Sequence, residues 1–200
     1  MIDAALLACA SEVAPQTLQA IIQVESRGNP LALNVNKLPT KPPRAATLLE
    51  AAATARFYIS KGYSVDLGLM QVNSRNLAKR GLSVEQVLEP CTNIRAGAAI
   101  LTPSYQAAAR IHGEGQTALL AALSAYNTGT FTRGFSNGYV GRYFASGPAF
   151  SPTQQTRKAP AQPVADRYAT SSFVFIRKGI SYGPAFDRAV AAADAVAQPQ

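Results

Sequence analysis

The sequence predicts a mainly α-helical domain with one small extended element and a Pro-rich C-terminal tail. Three observations carry this. Apolar residues recur at helical spacing in most segments, as in Leu18, Ile21 and Ile22. Glycines such as Gly28, Gly62, Gly81 and Gly129 close those segments one after another. Only Tyr63–Val72 alternates in a way that suits extended backbone or a tight turn.

Residues 3–10 form a short helix in this reading, with Asp3 as its N-cap. Pro15 suits the first turn of the next helix, which runs to about Arg27 and stops at Gly28-Asn29-Pro30. Leu31–Arg44 is read as irregular, because Pro42-Pro43 forbids a helix through that point. Ala46–Lys61 is a helix ended by Gly62, and Ser74–Arg80 another ended by Gly81. Ser83 with Gln86 makes a capping box. Thr92 or Asn93 is expected to cap a longer helix towards Arg110, kinked or broken at Pro103. Thr117–Tyr126 reads as a helix buried nearly all round, and a short one lies around Tyr139–Phe144.

From Ser151 the composition shifts to Pro152, Pro160 and Pro163 among Gln, Thr and Ala. The expected division is a compact domain over residues 1–150 and a partly disordered extension over 151–200. Within the extension, Ser171–Arg177 suits a strand and Phe186–Val196 a weak helix.

At 200 residues, with 48% apolar and 15% charged residues, the chain is long enough to bury a core and is not of disordered composition. No stretch reaches membrane-spanning length, so stable membrane insertion is not expected. The net charge of +8 favours an anionic partner, but the basic residues are scattered and form no nucleic-acid-binding signature. Nucleic acid is therefore not expected as partner. The apolar start, Met1-Ile2-Asp3-Ala4-Ala5-Leu6-Leu7, has no basic residues before it and is not a complete secretory signal. Cys9 and Cys91 fit no zinc or redox spacing. They are two free thiols or one bridge. A bridge would close a loop of about 80 residues and contribute on the order of 4 kcal/mol in the chain-entropy model.

One residue breaks the helical pattern. Glu25 follows Leu18, Ile21 and Ile22 at i+7, where a core residue belongs. A carboxyl in apolar surroundings tends to keep its proton, as a general acid near neutral pH requires. Taken alone, Glu25 reads more readily as a surface residue that snorkels out beside the helix end or pairs with Arg27 than as a catalyst.

Three stretches change that. Glu25-Ser26-Arg27-Gly28-Asn29-Pro30, Gly68-Leu69-Met70-Gln71-Val72-Asn73 and Ala125-Tyr126-Asn127-Thr128-Gly129 resemble, in order, the E-S-x-x-N-P, G-L-M-Q and A-Y-N-A-G motifs of the soluble lytic transglycosylases. Gly138-Tyr139-Val140 is similar to that family's later Y-V element. The resemblance covers about residues 10–145 and is nearest to the transglycosylases of type IV secretion and conjugation systems. Those share the long insert after the first motif and cysteines placed like Cys9 and Cys91.

The resemblance implies a goose-type lysozyme-like fold and a periplasmic enzyme whose signal has been removed. It also implies cleavage of the β-1,4 bond between N-acetylmuramic acid and N-acetylglucosamine, with no metal or organic cofactor. Most glycosidases flank the bond with two carboxylates. Here the sugar's C6 hydroxyl would attack instead, so Glu25 would serve as acid and then as base. A hydrolytic lysozyme using the same Glu25, and a non-catalytic wall-binding assembly factor, are the rival readings.

Carried over residue by residue, Gln71 would reach into the sugar groove and Gly68 would allow close backbone approach. Met70 would pack against a saccharide or beneath the site. Tyr126 would bond the N-acetyl group or the Glu25 carboxylate, Asn127 would contact ligand or end its helix, and Tyr139 would stack on a sugar or pack the last helix. Asn34 would face the cleft or hold a turn. Asp66 is expected to be structural, capping a turn, unless it faces Glu25 and activates a water. Cys9 and Cys91 would be bridged. The glycan strands of peptidoglycan would be the partner, with the tail available to other secretion components.

Overall fold

The computed structural model describes residues 2–145. The C-terminal extension, with the strand expected at Ser171–Arg177 and the helix expected at Phe186–Val196, lies outside the described residues. The chain is mainly helical with a small sheet, as the sequence predicts, and divides into two compact units. The described part of the first comprises residues 2–11 and Pro15–Ala98; that of the second comprises Glu12–Ala14 and residues 99–145.

In the first unit, Asp3 caps helix α1 (Ala4–Leu7) by accepting from the Ala5 N–H, as expected. Helix α2 (Pro15–Ser26) begins on its proline and buries Thr17, Leu18, Ile21 and Ile22. Helix α3 (Leu48–Ser60) starts at Thr47, whose hydroxyl accepts from the Glu50 N–H. It buries Ala51, Ala52 and Ala55, small side chains that admit close neighbours. Helix α4 (Leu77–Arg80) ends on Gly81 in the left-handed region. Helix α5 (Val84–Leu88) has the complete capping box of Ser83 and Gln86. Ser83→Ala should therefore cost about 1 kcal/mol, read from the urea midpoint.

The segment read as irregular contains a strand. Strand β1 (Leu33–Val35) pairs antiparallel with β2 (Val65–Leu67), which pairs antiparallel with β3 (Val72–Asn73). A three-residue strand has too little alternation to be seen in sequence; its partner lies some thirty residues on, with Asn34 opposite Asp66 and Asp66 opposite Asn73. Cys9 and Cys91 are bridged, with Cα atoms 5.5 Å apart.

Helix α6 (Pro90–His112) differs from expectation at two places. It starts on Pro90, so neither Thr92 nor Asn93 is its cap; Asn93 is buried inside the first turns. It also runs through Pro103 unbroken. The second unit holds α7 (Gln116–Thr128), buried continuously from Ala118 to Ser124 and closed by Gly129 in the left-handed region. A short helix that the sequence does not signal, α8 (Arg133–Ser136), packs on α7, and α9 (Arg142–Ala145) follows. Gly134 makes the α7–α8 packing specific: a Cβ there would stand 2.6 Å from the Ser124 Cα.

Among the described residues no helix is long and apolar enough to cross a membrane, and no group of three His, Cys, Asp or Glu residues could hold a metal ion.

Candidate active site

Glu25 sits in the last turn of α2, half-buried, one helical step beyond the fully buried Ile21 and Ile22. The residues after it fix that position. The Ser26 hydroxyl donates to the Ile22 carbonyl at 3.0 Å and accepts from the Gly28 N–H at 3.2 Å, which ties off the helix end. Arg27 and Gly28 both take positive φ, 56° and 79°, turning the chain sharply away. Asn29 then accepts from the Leu31 N–H at 3.0 Å. The Ser, Gly and Asn of the first motif thus hold the backbone that presents the glutamate.

The second motif forms a tight turn between β2 and β3. Its organiser is Asn93, a residue that sequence reasoning missed. The Asn93 Oδ1 accepts from the Met70 N–H at 2.7 Å, and its Nδ2 donates to the Leu67 and Val87 carbonyls at 2.8 and 2.7 Å. One buried amide thereby satisfies three backbone groups that burial would otherwise leave unpaired. An asparagine near a helix start was its only trace in the sequence, and that is how a cap reads.

Gly68 answers to Asn93. A Cβ at this position would lie 2.3 Å from the Asn93 Nδ2, and the φ of +74° disfavours any L side chain. Close approach is needed, but to Asn93. We expect Gly68→Ala to destabilise by roughly 2–4 kcal/mol, from left-handed strain plus disturbed buried hydrogen bonds, measured by urea unfolding. Met70 is fully buried, and a Cβ on Gly97 would stand 2.6 Å from its Sδ, so it lies beneath the turn.

Gln71 is half-buried and is the least buried residue of the turn, whose Gly68, Leu69 and Met70 are buried. It adopts φ 49°, and its Nε2 donates to the Gly68 and Ala32 carbonyls at 2.9 and 3.2 Å. Its Oε1 accepts no hydrogen bond among the described residues. The Gly68 N–H also reaches the Ala32 carbonyl, at 2.8 Å, so this turn is sewn to the chain entering β1.

On β1, Asn34 is exposed, and its Nδ2 donates to the Asp66 Oδ2 at 3.1 Å. Asp66 caps no turn. It stands in the middle strand and gathers three amides, with Asn36 on Oδ2 at 3.0 Å and Asn73 on Oδ1 at 2.6 Å. The expectation of a structural role fits this arrangement; the expected place at a turn does not.

Tyr126, Asn127 and Tyr139 belong to the second unit. Tyr126 is half-buried near the end of α7, and Asn127 is exposed there, its Oδ1 accepting from Asn137 at 3.3 Å. The loop after them is fixed by Ser124, whose hydroxyl donates to the Thr130 carbonyl at 2.7 Å and accepts from the Gly134 N–H at 2.8 Å. Ser124→Ala should cost about 1–3 kcal/mol by leaving the buried Gly134 N–H unpaired, visible as a lowered thermal midpoint. The Tyr139 ring is buried edge-on against Tyr143, with the two hydroxyls 2.7 Å apart. This is the packing alternative of the two roles expected for it.

Comparison with known proteins adds the following. The profile of the transglycosylase SLT domain matches residues 4–143. Protein virB1 of Agrobacterium fabrum is 42% identical over 132 residues, covering 66% of this chain and 53% of that protein. The type IV secretion system protein virB1 of Brucella abortus biovar 1 is 39% identical over 177 residues, covering 80% of this chain and 73% of that protein. The chain thus spans about half the length of the Agrobacterium relative. No solved structure matches it.

Proposed function

This chain belongs to the transglycosylase SLT domain family, and on that footing we propose that it is a lytic transglycosylase acting on peptidoglycan in the periplasm. Glu25 is its acid and base. The carboxyl protonates the glycosidic oxygen between N-acetylmuramic acid and N-acetylglucosamine, and the C1–O bond breaks. The muramyl C6 hydroxyl then attacks C1 while Glu25 takes its proton back. No water is consumed, and a 1,6-anhydromuramyl end results.

The observation that carries this reading is the placing of Glu25. It is the one carboxylate on an otherwise buried helix face, held by the serine, glycine and asparagine of its own motif. Gln71, Asn34, Tyr126 and Asn127 are assigned to substrate binding. Gly68 and Met70 are assigned to shaping the turn that carries Gln71, in keeping with their burial, and Tyr139 to packing against Tyr143. The biological setting we assign is local opening of the cell wall for a type IV secretion or conjugation apparatus, in keeping with the names of the relatives. Contact with other components is assigned to the C-terminal extension.

Mass spectrometry of digested peptidoglycan tests the chemistry. Anhydromuramyl ends are expected. Exclusively reducing muramyl ends would instead mean hydrolysis by a lysozyme-type route, and no cleavage at all would leave a wall-binding assembly factor.

A further inference from the structure

We propose that Asp66 is a positioning residue that turns Asn34 into a fixed hydrogen-bond acceptor for the glycan; this rests on the reading of the chain as a peptidoglycan-cleaving enzyme. An asparagine amide can present either its oxygen or its nitrogen, and the two orientations differ little in shape. Asp66 removes that choice. Its carboxylate oxygens only accept, so each neighbouring amide must turn its nitrogen inward.

Asn34 donates from Nδ2 to Asp66 at 3.1 Å, and the same nitrogen lies 3.5 Å from the Asn36 Oδ1. Asn36 is itself held by Asp66 and, through the same Nδ2, by the Ser64 carbonyl at 3.4 Å. Asn73 is held at both ends, donating to Asp66 and accepting from the Arg75 N–H at 3.1 Å. Only the Asn34 oxygen accepts nothing among the described residues, and Asn34 is the exposed member of the set. Gln71 repeats the device, its nitrogen spent on two carbonyls and its oxygen left to accept. The Gln71 nitrogen binds the carbonyl of Ala32, two residues before Asn34, so the Gln71 side chain is anchored to the stretch of chain that carries Asn34. A pair of fixed acceptors selects a ligand rich in N–H and O–H donors, which an N-acetylated glycan strand is.

The test uses the full chain and a soluble N-acetylglucosamine–N-acetylmuramic acid tetrasaccharide. Asn34→Ala should raise KM about fivefold to tenfold, the worth of one hydrogen bond, with kcat within about twofold. Asp66→Asn should raise KM by a similar factor, and the double variant should be no worse than either single one. Multiplying effects in the double variant, or a loss in kcat at unchanged KM for Asp66→Asn, would overturn the proposal. Should Asp66→Asn fail to fold, nitrogen-15 NMR of the Glu25→Gln protein decides. Saturating tetrasaccharide must shift the Asn34 side-chain amide resonances, and unmoved resonances sink the idea. Absence of both cleavage and binding in the unaltered protein would defeat the enzyme reading itself; additivity with cleavage intact would defeat only this inference.

Discussion

Glu25→Gln should abolish most of the glycan cleavage while leaving the fold in place. The amide keeps the size and the half-buried position of the side chain but has no proton to give to the glycosidic oxygen. General acid–base catalysis is typically worth 10²–10⁴-fold, and in the proposed mechanism one group carries both halves of it. A fall in kcat of about that size is expected, with KM changed little, since no binding contact is assigned to the carboxyl alone. Release of soluble muropeptides measures the rate, and thermal unfolding checks the fold. A variant that keeps more than about a tenth of the wild-type rate would contradict the assignment of Glu25 as acid and base.

Removing the disulfide should be the largest single loss of stability. Cys9 and Cys91 are 82 residues apart in sequence, and their bridge ties the N-terminal turn to the start of α6. Closing a loop of that length restricts the unfolded chain by about 4.5 kcal/mol in the chain-entropy model. Cys9→Ser with Cys91→Ser should therefore lower the thermal midpoint by roughly 10–18 °C. The guanidinium of Arg95, which donates from Nε to the Cys9 carbonyl at 3.3 Å, is too exposed to hold the two segments alone. Thiol labelling of the unfolded, unreduced protein gives an independent check. A midpoint lowered by less than about 3 °C would show that the N-terminal segment is held by packing instead.

Both effects bear on function through one piece of structure. The first unit contains the bridge, the glutamate helix, the sheet and the Asn93-centred turn. Asn93 is two residues after Cys91, so the bridge anchors the same end of α6 that supports Gly68 and Met70. Loss of the disulfide should thus reduce activity at temperatures well below the unfolding midpoint, as the turn loosens first. Comparing the temperature dependence of kcat with that of unfolding would reveal it.

What the sequence determined was local. Helix starts at Asp3, Pro15 and Ser83, and stops at Gly62, Gly81 and Gly129, depend on contacts within a few residues, so their signals stand next to the structure they create. The amphipathic period placed Glu25 on the buried face for the same reason. The motifs then gave the family, which the domain match bears out. The tertiary structure alone decided the rest. Strand β1 exists because Leu33–Val35 meets Val65–Leu67, and Asp66 is structural because three asparagines from two other strands and a neighbouring turn converge on it. Asn93 looked like a helix cap because a short polar side chain near a helix start normally bonds its own backbone; here two of its three partners, at Leu67 and Met70, lie more than twenty residues away. No local pattern encodes such bonds, since they form only after the chain has folded back on itself and left a buried amide with nowhere else to go.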